Sequence, residues 1–325
     1  MADVYSERMK PMPLLVIVGP TATGKTDLAV RVAQKLEAEI VSADSMLVYR
    51  HMNIGTAKPT PEETRGVPHH LIDVADPGEI YNVSRYSQSA VKILDYLHSR
   101  KILPILVGGT GLYVKAVIDG YNFSQVGTDP ELREKLTREC EKLGSEALHD
   151  RLKSVDQETA ARLHINDVKR VIRALEVFYL SGKTLSSEAG KMEKPPYSLL
   201  MYGLNMDRKA LYSRIEKRVD KMLEEGLVEE VKGLLERGYS SSLTSMQGLG
   251  YKEMALYLKG QLTLEEAVDL LKMSTRRFAK RQLTWFRRDD RIRWIDMGHK
   301  RMEEVSEEIT GAAEGVFKPV SNEFK

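Results

Sequence analysis

The sequence predicts an α/β protein, a parallel sheet flanked by helices with an all-helical domain inserted into it. Three observations carry that prediction. Over residues 1–120, apolar runs alternate with helical patterns, as βαβ units do. The runs at 14–18, 39–42 and 102–107 are mainly apolar, as expected of strands covered on both faces. Beyond Gly120, up to about Pro196, apolar residues recur only at helical spacing.

The first strand lies between Pro13 and Gly19 and runs straight into GPTATGKT, residues 19–26. This stretch fits G-x-x-x-x-G-K-[ST] at Gly19, Gly24, Lys25 and Thr26. After it, Leu28, Ala29, Val32, Ala33 and Leu36 fall at helical spacing. Strand, glycine loop and helix together make a phosphate-binding site, because loop N–H groups and the helix N-terminus converge on an anion. A glycine turn that binds nothing would need neither the Gly-Lys-Thr nor this context. Gly19, Pro20, Thr21, Ala22, Thr23, Gly24, Lys25 and Thr26 are therefore assigned to a di- or triphosphate. Lys25 would neutralise the outer phosphate, and the Thr26 hydroxyl would help to hold Mg²⁺. The fold expected is P-loop NTPase-like.

The second run ends at Ala43-Asp44-Ser45 and the third at Gly108-Gly109-Thr110-Gly111. Ligands of parallel sheets bind beyond the carboxyl ends of the strands, which gathers the phosphate loop, Asp44 and Thr110 around one crevice. Asp44 has three readings: a Mg²⁺ ligand, a general base, or a cap on the next helix. The glycines beside Thr110 suggest that backbone approaches a ligand closely there. No acidic residue closes the third run, and no Gln or Arg is identifiable as a water-positioning group. Both absences argue against a nucleotide-hydrolysing motor. Residues 53–59 and 67–70 read as loops, and 84–99 as a helix.

The domain expectation is a core of residues 1–120 and 197–325, with 121–196 inserted. In the insertion Asp129-Pro130-Glu131 opens one helix, with proline in its first turn. Asn166 would cap another, which places Val168, Val171, Ile172 and Leu175 on one face and Lys169, Arg170 and Arg173 off it. A loop over 191–196 closes the insertion. Residues 199–204 return to the sheet as a strand. Residues 208–237 continue as helix, with Arg214, Arg218 and Lys221 spaced i, i+4, i+7. A long helix from Leu264 ends the chain.

Composition narrows the setting. With 42% hydrophobic and 30% charged residues the protein is an ordinary globular one. The lone Cys140 excludes an internal disulfide and suits a reducing cytosol. His69-His70 lacks zinc spacing to other ligands, and no signal core or membrane-length apolar run occurs. A cytoplasmic protein without a membrane partner is expected. The net charge is +2, but residues 272–293 hold nine Lys or Arg against two Asp, so the positive charge is bunched. On a helical wheel Arg276, Arg277, Lys280, Arg281, Arg287 and Arg288 share an arc of about 140°. Val268, Leu271, Thr275, Phe278 and Phe286 lie opposite. A solvated face is the ordinary explanation; six cations without an interleaved acid favour a phosphate-backbone surface. Three classes remain open: a small-metabolite kinase, a transferase with a diphosphate leaving group and a nucleic-acid acceptor, and a nucleotide-gated RNA-binding switch. The basic helix disfavours the first, and the Asp44–Thr110 pair disfavours the third.

Six stretches in order add a resemblance. GPTATGKT, SADSMLVYRHMNIGTAKP (42–59), LVGGTGLY (106–113), RVIRALEV (170–177), RIEKRV (214–219) and RQLTWFRR (281–288) resemble the bacterial tRNA dimethylallyltransferases, or tRNA isopentenyltransferases. The match runs from about Leu14 to Trp294. It implies transfer of a dimethylallyl group from its diphosphate to N6 of the adenine 3′ of the anticodon, in tRNAs reading codons that begin with U. The phosphate loop would then hold dimethylallyl diphosphate rather than ATP. Asp44 would be the base, Thr110 a substrate contact, and Arg218 would join Lys25 and Mg²⁺ in stabilising the departing diphosphate. The resemblance places tRNA contacts at Asp44, Ser45, Met46, Leu47, Thr110, Arg133, Lys169, Arg170, Val171, Ile172, Arg173, Gln247, Gly248, Gly250, Tyr251 and Lys252. Arg276, Lys280 and Arg281 join them from the basic arc. The implied partner is the anticodon stem-loop of tRNA, its target base flipped out of the stack, bound by a monomer.

Overall fold

Side chains in β1 (Met12–Val18) alternate between two cores, Leu14, Val16 and Val18 on one face and Leu15 and Ile17 on the other, all fully buried. That is why the run reads as continuously apolar. The computed structural model describes residues 11–121, 126–188 and 197–317. From β1 the chain passes through the glycine loop into α1 (Lys25–Leu36), then β2 (Glu39–Ser42), α2 (Pro61–Thr64) and β3 (His69–His70). It continues as α3 (Val83–Ser99), β4 (Pro104–Gly108) and α4 (Gly111–Ile118).

The inserted segment builds α5 (Pro130–Val155), α6 (Gln157–Arg162), α7 (Val168–Ser181) and α8 (Leu185–Glu188). The chain divides into two compact units, Met1–Ile118 with Pro196–Lys325, and Asp119–Pro195. Asp129 caps α5 by accepting the Leu132 N–H at 3.0 Å, and Gly144 at φ 87° kinks that helix. The N-cap of α7 is Asp167 rather than Asn166. Leu136, Leu148, Leu152, Val171, Ile172 and Leu175 form this unit's own core. The expected closing loop at 191–196 lies outside the described residues.

The chain then supplies β5 (Tyr197–Asn205), α9 (Arg208–Glu224), α10 (Leu227–Glu236), α11 (Tyr251–Leu258), α12 (Leu264–Phe286), β6 (Ile292–Asp296) and α13 (Met302–Val316). The sheet has six parallel strands in the order β3-β2-β4-β1-β5-β6. Three differences from expectation stand out. His69 and His70 are an edge strand beside Ile40 and Val41, not loop. The 208–237 helix breaks at Gly226, φ 96°. The long basic helix does not end the chain, because β6 and α13 follow it. The acidic stretch after Arg301 is largely this last helix, which packs on α1 with Glu303 bridging Arg31 at 3.0 Å and Lys35 at 2.6 Å.

Register sets the site. Val18 pairs with Gly108 and with Gly203, and Ser42 with Val107, so β4, β1 and β2 stop at nearly one level, while β5 runs two residues further. Gly19, Ala43-Asp44 and Gly109-Thr110 emerge together at that edge.

Candidate active site

Backbone turns that only glycine takes easily shape the phosphate loop. Gly19 crosses β5 so closely that a Cβ there would lie 2.6 Å from the Leu204 carbonyl oxygen. Gly24, at φ 88°, turns the chain into α1. The buried Thr23 hydroxyl donates to the Pro20 carbonyl at 2.8 Å, and Lys25 Nζ donates to the same oxygen at 2.6 Å. Thr26 is exposed at the head of α1. Two of the eight loop residues contribute no free N–H: Pro20 has none, and that of Thr21 donates to Gln282 Oε1 at 2.9 Å. The amides of residues 22–26 and the Lys25 ammonium are the candidate anion cradle.

Three charges meet behind the loop. Burial pushes the Lys25 ammonium down to about 7, the neighbouring Arg218 charge adds to the fall, and Asp44 opposes it. Burial also lowers the Arg218 guanidinium from its ordinary value, against the pull of Asp44 and Glu63. Two cations crowded beside one carboxylate leave positive charge that an incoming diphosphate would relieve. On the same helix, Arg214 is exposed and Lys221 pairs with Glu225 at 3.3 Å, so only Arg218 of that spaced trio joins the site.

Asp44 is held by its own turn. Its Oδ1 accepts the N–H of Met46 at 2.8 Å and of Leu47 at 3.4 Å. Those residues form turns, not a helix, so the helix-cap reading gives way to an Asx-type turn. Among the described residues, Oδ2 accepts no hydrogen bond. Thr110 ties the neighbouring strand end in place: its N–H donates to Ala43 O at 3.1 Å, and its Oγ1 accepts from Ser45 N–H at 3.1 Å. The glycines around it serve packing within the chain rather than approach to a ligand. A Cβ at Gly108 would meet Ala43 O at 2.1 Å, at Gly109 Gln282 Nε2 at 2.2 Å, and at Gly111 Trp285 Cδ1 at 2.1 Å.

Gln282 is absent from the residues read from the sequence. It is buried, and its Nε2 donates to Gly109 O at 2.9 Å. The signal was available: it sits on the wheel face of Leu271, Thr275, Phe278 and Phe286, a lone amide among apolar positions.

The residues expected to touch tRNA divide in the structure. Met46 packs against Gly248, where a Cβ would meet its Cε at 2.4 Å, so the turn after Asp44 adjoins the segment 247–252. Within that segment Gln247 and Lys252 are exposed, while Gly250 and Tyr251 are buried. The Tyr251 hydroxyl donates to Glu230 Oε1 at 2.6 Å and its ring covers Gly55, so its side chain is a structural prop. Arg276 leaves the basic arc, because Glu216 of α9 binds it at 2.7 Å. Arg277, Lys280, Arg281, Thr284, Trp285 and Arg288 line an open groove of about 490 Å³. In the helical unit Lys169 and Arg170 are exposed, whereas Val171 and Ile172 are core side chains. Arg133 grips the fully buried Glu176 through two 2.8 Å hydrogen bonds, and Arg173 adds a third at 2.5 Å.

That cluster has a stability consequence. Burial pushes the Glu176 carboxyl up, but hydrogen bonds from Arg133, Arg173 and the Asp129 N–H outweigh it and leave it below 4.5. A depressed carboxylate stabilises above its unfolded pKa, and the contribution is lost as pH falls through the folded one. Glu176→Gln should cost about 2 kcal/mol at pH 7, moderated by the half-exposed Arg133. In thermal melts, its deficit against the parent protein should shrink below about pH 4.5. A deficit independent of pH would mean that Glu176 acts by packing alone.

The family model described as IPP transferase matches residues 47–289, more than half of the chain. The chain belongs to the IPP transferase family. Among curated members, the tRNA dimethylallyltransferase of Pelotomaculum thermopropionicum is 54% identical over 96% of this chain and 100% of its own length. The crystal structure of the tRNA isopentenylpyrophosphate transferase of Bacillus halodurans aligns with a TM-score of 0.70 at 47% identity, covering 94% of this chain and 98% of its own. A eukaryotic dimethylallyltransferase captured acting on tRNA aligns with a TM-score of 0.80 at 27% identity, covering 96% of this chain and 81% of its own.

Proposed function

We infer that this IPP transferase moves a dimethylallyl group from dimethylallyl diphosphate to N6 of the adenine 3′ of the anticodon, in tRNAs reading codons that begin with U. The observation that carries this reading is the placement of Lys25, Arg218 and a carboxylate with one free oxygen around a single phosphate loop. In the reaction the N6–carbon bond forms as the carbon–oxygen bond to diphosphate breaks. The adenine amine is a weak nucleophile, because its lone pair is delocalised into the ring. Asp44 takes the N6 proton through Oδ2 while its turn keeps Oδ1 occupied. Lys25, Arg218 and the amides of residues 22–26 receive the negative charge that gathers on the leaving diphosphate. Thr110 holds the Asp44 turn at the correct level through Ser45 and contacts the substrate beside it.

Mg²⁺ fits this site in one particular way. No group of three or more His, Cys, Asp or Glu able to hold a metal occurs among the described residues. An ion here would rest on the Thr26 hydroxyl and the substrate's own diphosphate oxygens, an arrangement Mg²⁺ commonly takes. When bound, it would neutralise charge on the leaving group.

In the core unit the acceptor surface comprises Ser45, Met46, Leu47, Gln247, Gly248 and Lys252 near the crevice, with Lys280 and Arg281 on α12; the helical unit, taken by itself, offers Lys169 and Arg170. No helix among the described residues is long and apolar enough to cross a membrane. The enzyme works on tRNA in the cytoplasm as a monomer. Incubation with dimethylallyl diphosphate carrying a labelled prenyl group and unmodified tRNA tests the reading directly. Label should enter RNA. Turnover of labelled ATP onto a small acceptor, without transfer to RNA, would establish a kinase instead.

The basic groove makes a separate prediction. Arg277, Lys280 and Arg281 replaced together by Gln should weaken all tRNAs alike and flatten the slope of log K against log salt by about 2 to 3. Arg276 is left out, since Glu216 already neutralises it. Filter binding from low to physiological salt reads the slope. An unchanged value would make the groove an ordinary solvated face.

A further inference from the structure

Gln282 joins three segments that are remote in sequence. It lies on α12 with 6% of its surface exposed, beside the buried Ala279 and Phe286. Its Oε1 accepts the N–H of Thr21 inside the phosphate loop at 2.9 Å. Its Nε2 donates to the carbonyl of Gly109, at the end of β4, also at 2.9 Å. A backbone N–H can only donate and a carbonyl can only accept, so these two partners fix the orientation of the amide. Gly109 is cut to receive it, because a Cβ there would stand 2.2 Å from Nε2. The connection continues from Gly109 into Thr110, whose N–H binds Ala43 O and whose hydroxyl binds the N–H of Ser45. Ala43 and Ser45 flank Asp44. One buried amide thus ties the loop that holds the diphosphate to the turn that carries the base.

We propose that Gln282 is a positioning residue for prenyl transfer, a clamp that fixes the phosphate loop relative to the Thr110–Asp44 turn. The assignment rests on the transferase reading of this crevice. The clamp needs one donor and one acceptor on a single planar group. An ionised carboxylate offers two acceptors and turns one of them on the Gly109 carbonyl. A thioether of similar length offers no donor at all, which leaves the buried Gly109 carbonyl without a partner and the Thr21 N–H with a weak one. A protonated carboxyl, by contrast, restores one donor and one acceptor. Burial and the facing carbonyl raise the pKa of a carboxyl placed there, so its protonation falls within an accessible pH range.

The test uses the full-length protein with Gln282→Glu and Gln282→Met, each checked by a melting curve. At pH 8 both variants should lose about tenfold in kcat and raise the KM for dimethylallyl diphosphate about tenfold, with the KM for tRNA within twofold of the parent. From pH 8 to pH 5.5, the ratio of Gln282→Glu to parent kcat/KM should climb about tenfold, while the Gln282→Met ratio stays flat. Binding of inorganic diphosphate, measured over the same pH range, should follow the same pattern without any transfer. A parent protein that fails to prenylate tRNA would sink the proposed function, and the diphosphate titration would still decide the clamp. A Gln282→Glu ratio flat with pH in both measurements overturns the proposal, whether the variant is active or dead. So does a KM for tRNA that moves as far as that for the diphosphate.

Discussion

Asp44→Asn should lower the turnover number by a factor on the order of 10² to 10⁴, the span expected when a positioned base is lost. The structure makes this substitution a clean one. The amide oxygen of asparagine can still accept the N–H groups of Met46 and Leu47, so the turn survives. The group lost is the second oxygen with its charge. Affinity for dimethylallyl diphosphate should change little, and affinity for tRNA should fall only modestly, since the substitution removes one acceptor for the adenine amine and leaves the basic surface intact. Asp44 does support the Lys25 ammonium, so a small loss of diphosphate affinity above pH 7 is expected as well. Single-turnover rates at two Mg²⁺ concentrations separate the alternatives. Recovery at high Mg²⁺ would make Asp44 a metal ligand first. A rate near that of the parent would end the assignment as base.

Sequence made Asp44 legible because parallel sheets place ligands at strand ends, and the strands β1, β2 and β4 are apolar enough to locate those ends. It failed where a residue's role depends on what lies opposite. β6 has only Ile292 and Ile295 inward among exposed Arg293, Trp294 and Asp296, so it reads as more of the basic stretch. β3 is two residues long and carries no pattern at all. The helical wheel placed Arg276 among free cations because a wheel knows nothing of Glu216 on another helix. Gly109 looked like an opening for a ligand because the amide that fills the space stands 173 positions away. Glu230 went unread for the same reason. In a run such as LVEEVKGLLE it passes for solvated charge, yet its carboxylate accepts the N–H groups of Asn53, Ile54 and Gly55 and the Tyr251 hydroxyl. Local pattern reveals strands and loops; long-range polar contacts become visible only once the chain is folded.

Lys25→Met should weaken diphosphate binding by about a hundredfold and slow transfer in parallel, while tRNA affinity stays within about twofold, because a charge-assisted contact in a partly buried site is worth about 1.5–3 kcal/mol. The pH dependence makes the argument stricter. Lys25 donates to Pro20 O and is pushed down to about 7, since burial and Arg218 both disfavour its charge. Below that pH the ammonium is present before the ligand arrives. Above it, binding must first recruit a proton, so affinity should fall by up to about tenfold per pH unit until the ligand-bound lysine itself titrates. The ligand gains negative charge as pH rises over this range, so its own ionisation favours binding to a cationic loop and cannot produce the decline. At fixed Mg²⁺, calorimetric titration of the parent enzyme with inorganic diphosphate from pH 6.5 to 9 should show this decline together with proton uptake. Lys25→Met should bind weakly and without that decline. If the variant kept the slope, the titrating group would have to be sought elsewhere, and Lys25 would lose its place as the outer-phosphate contact.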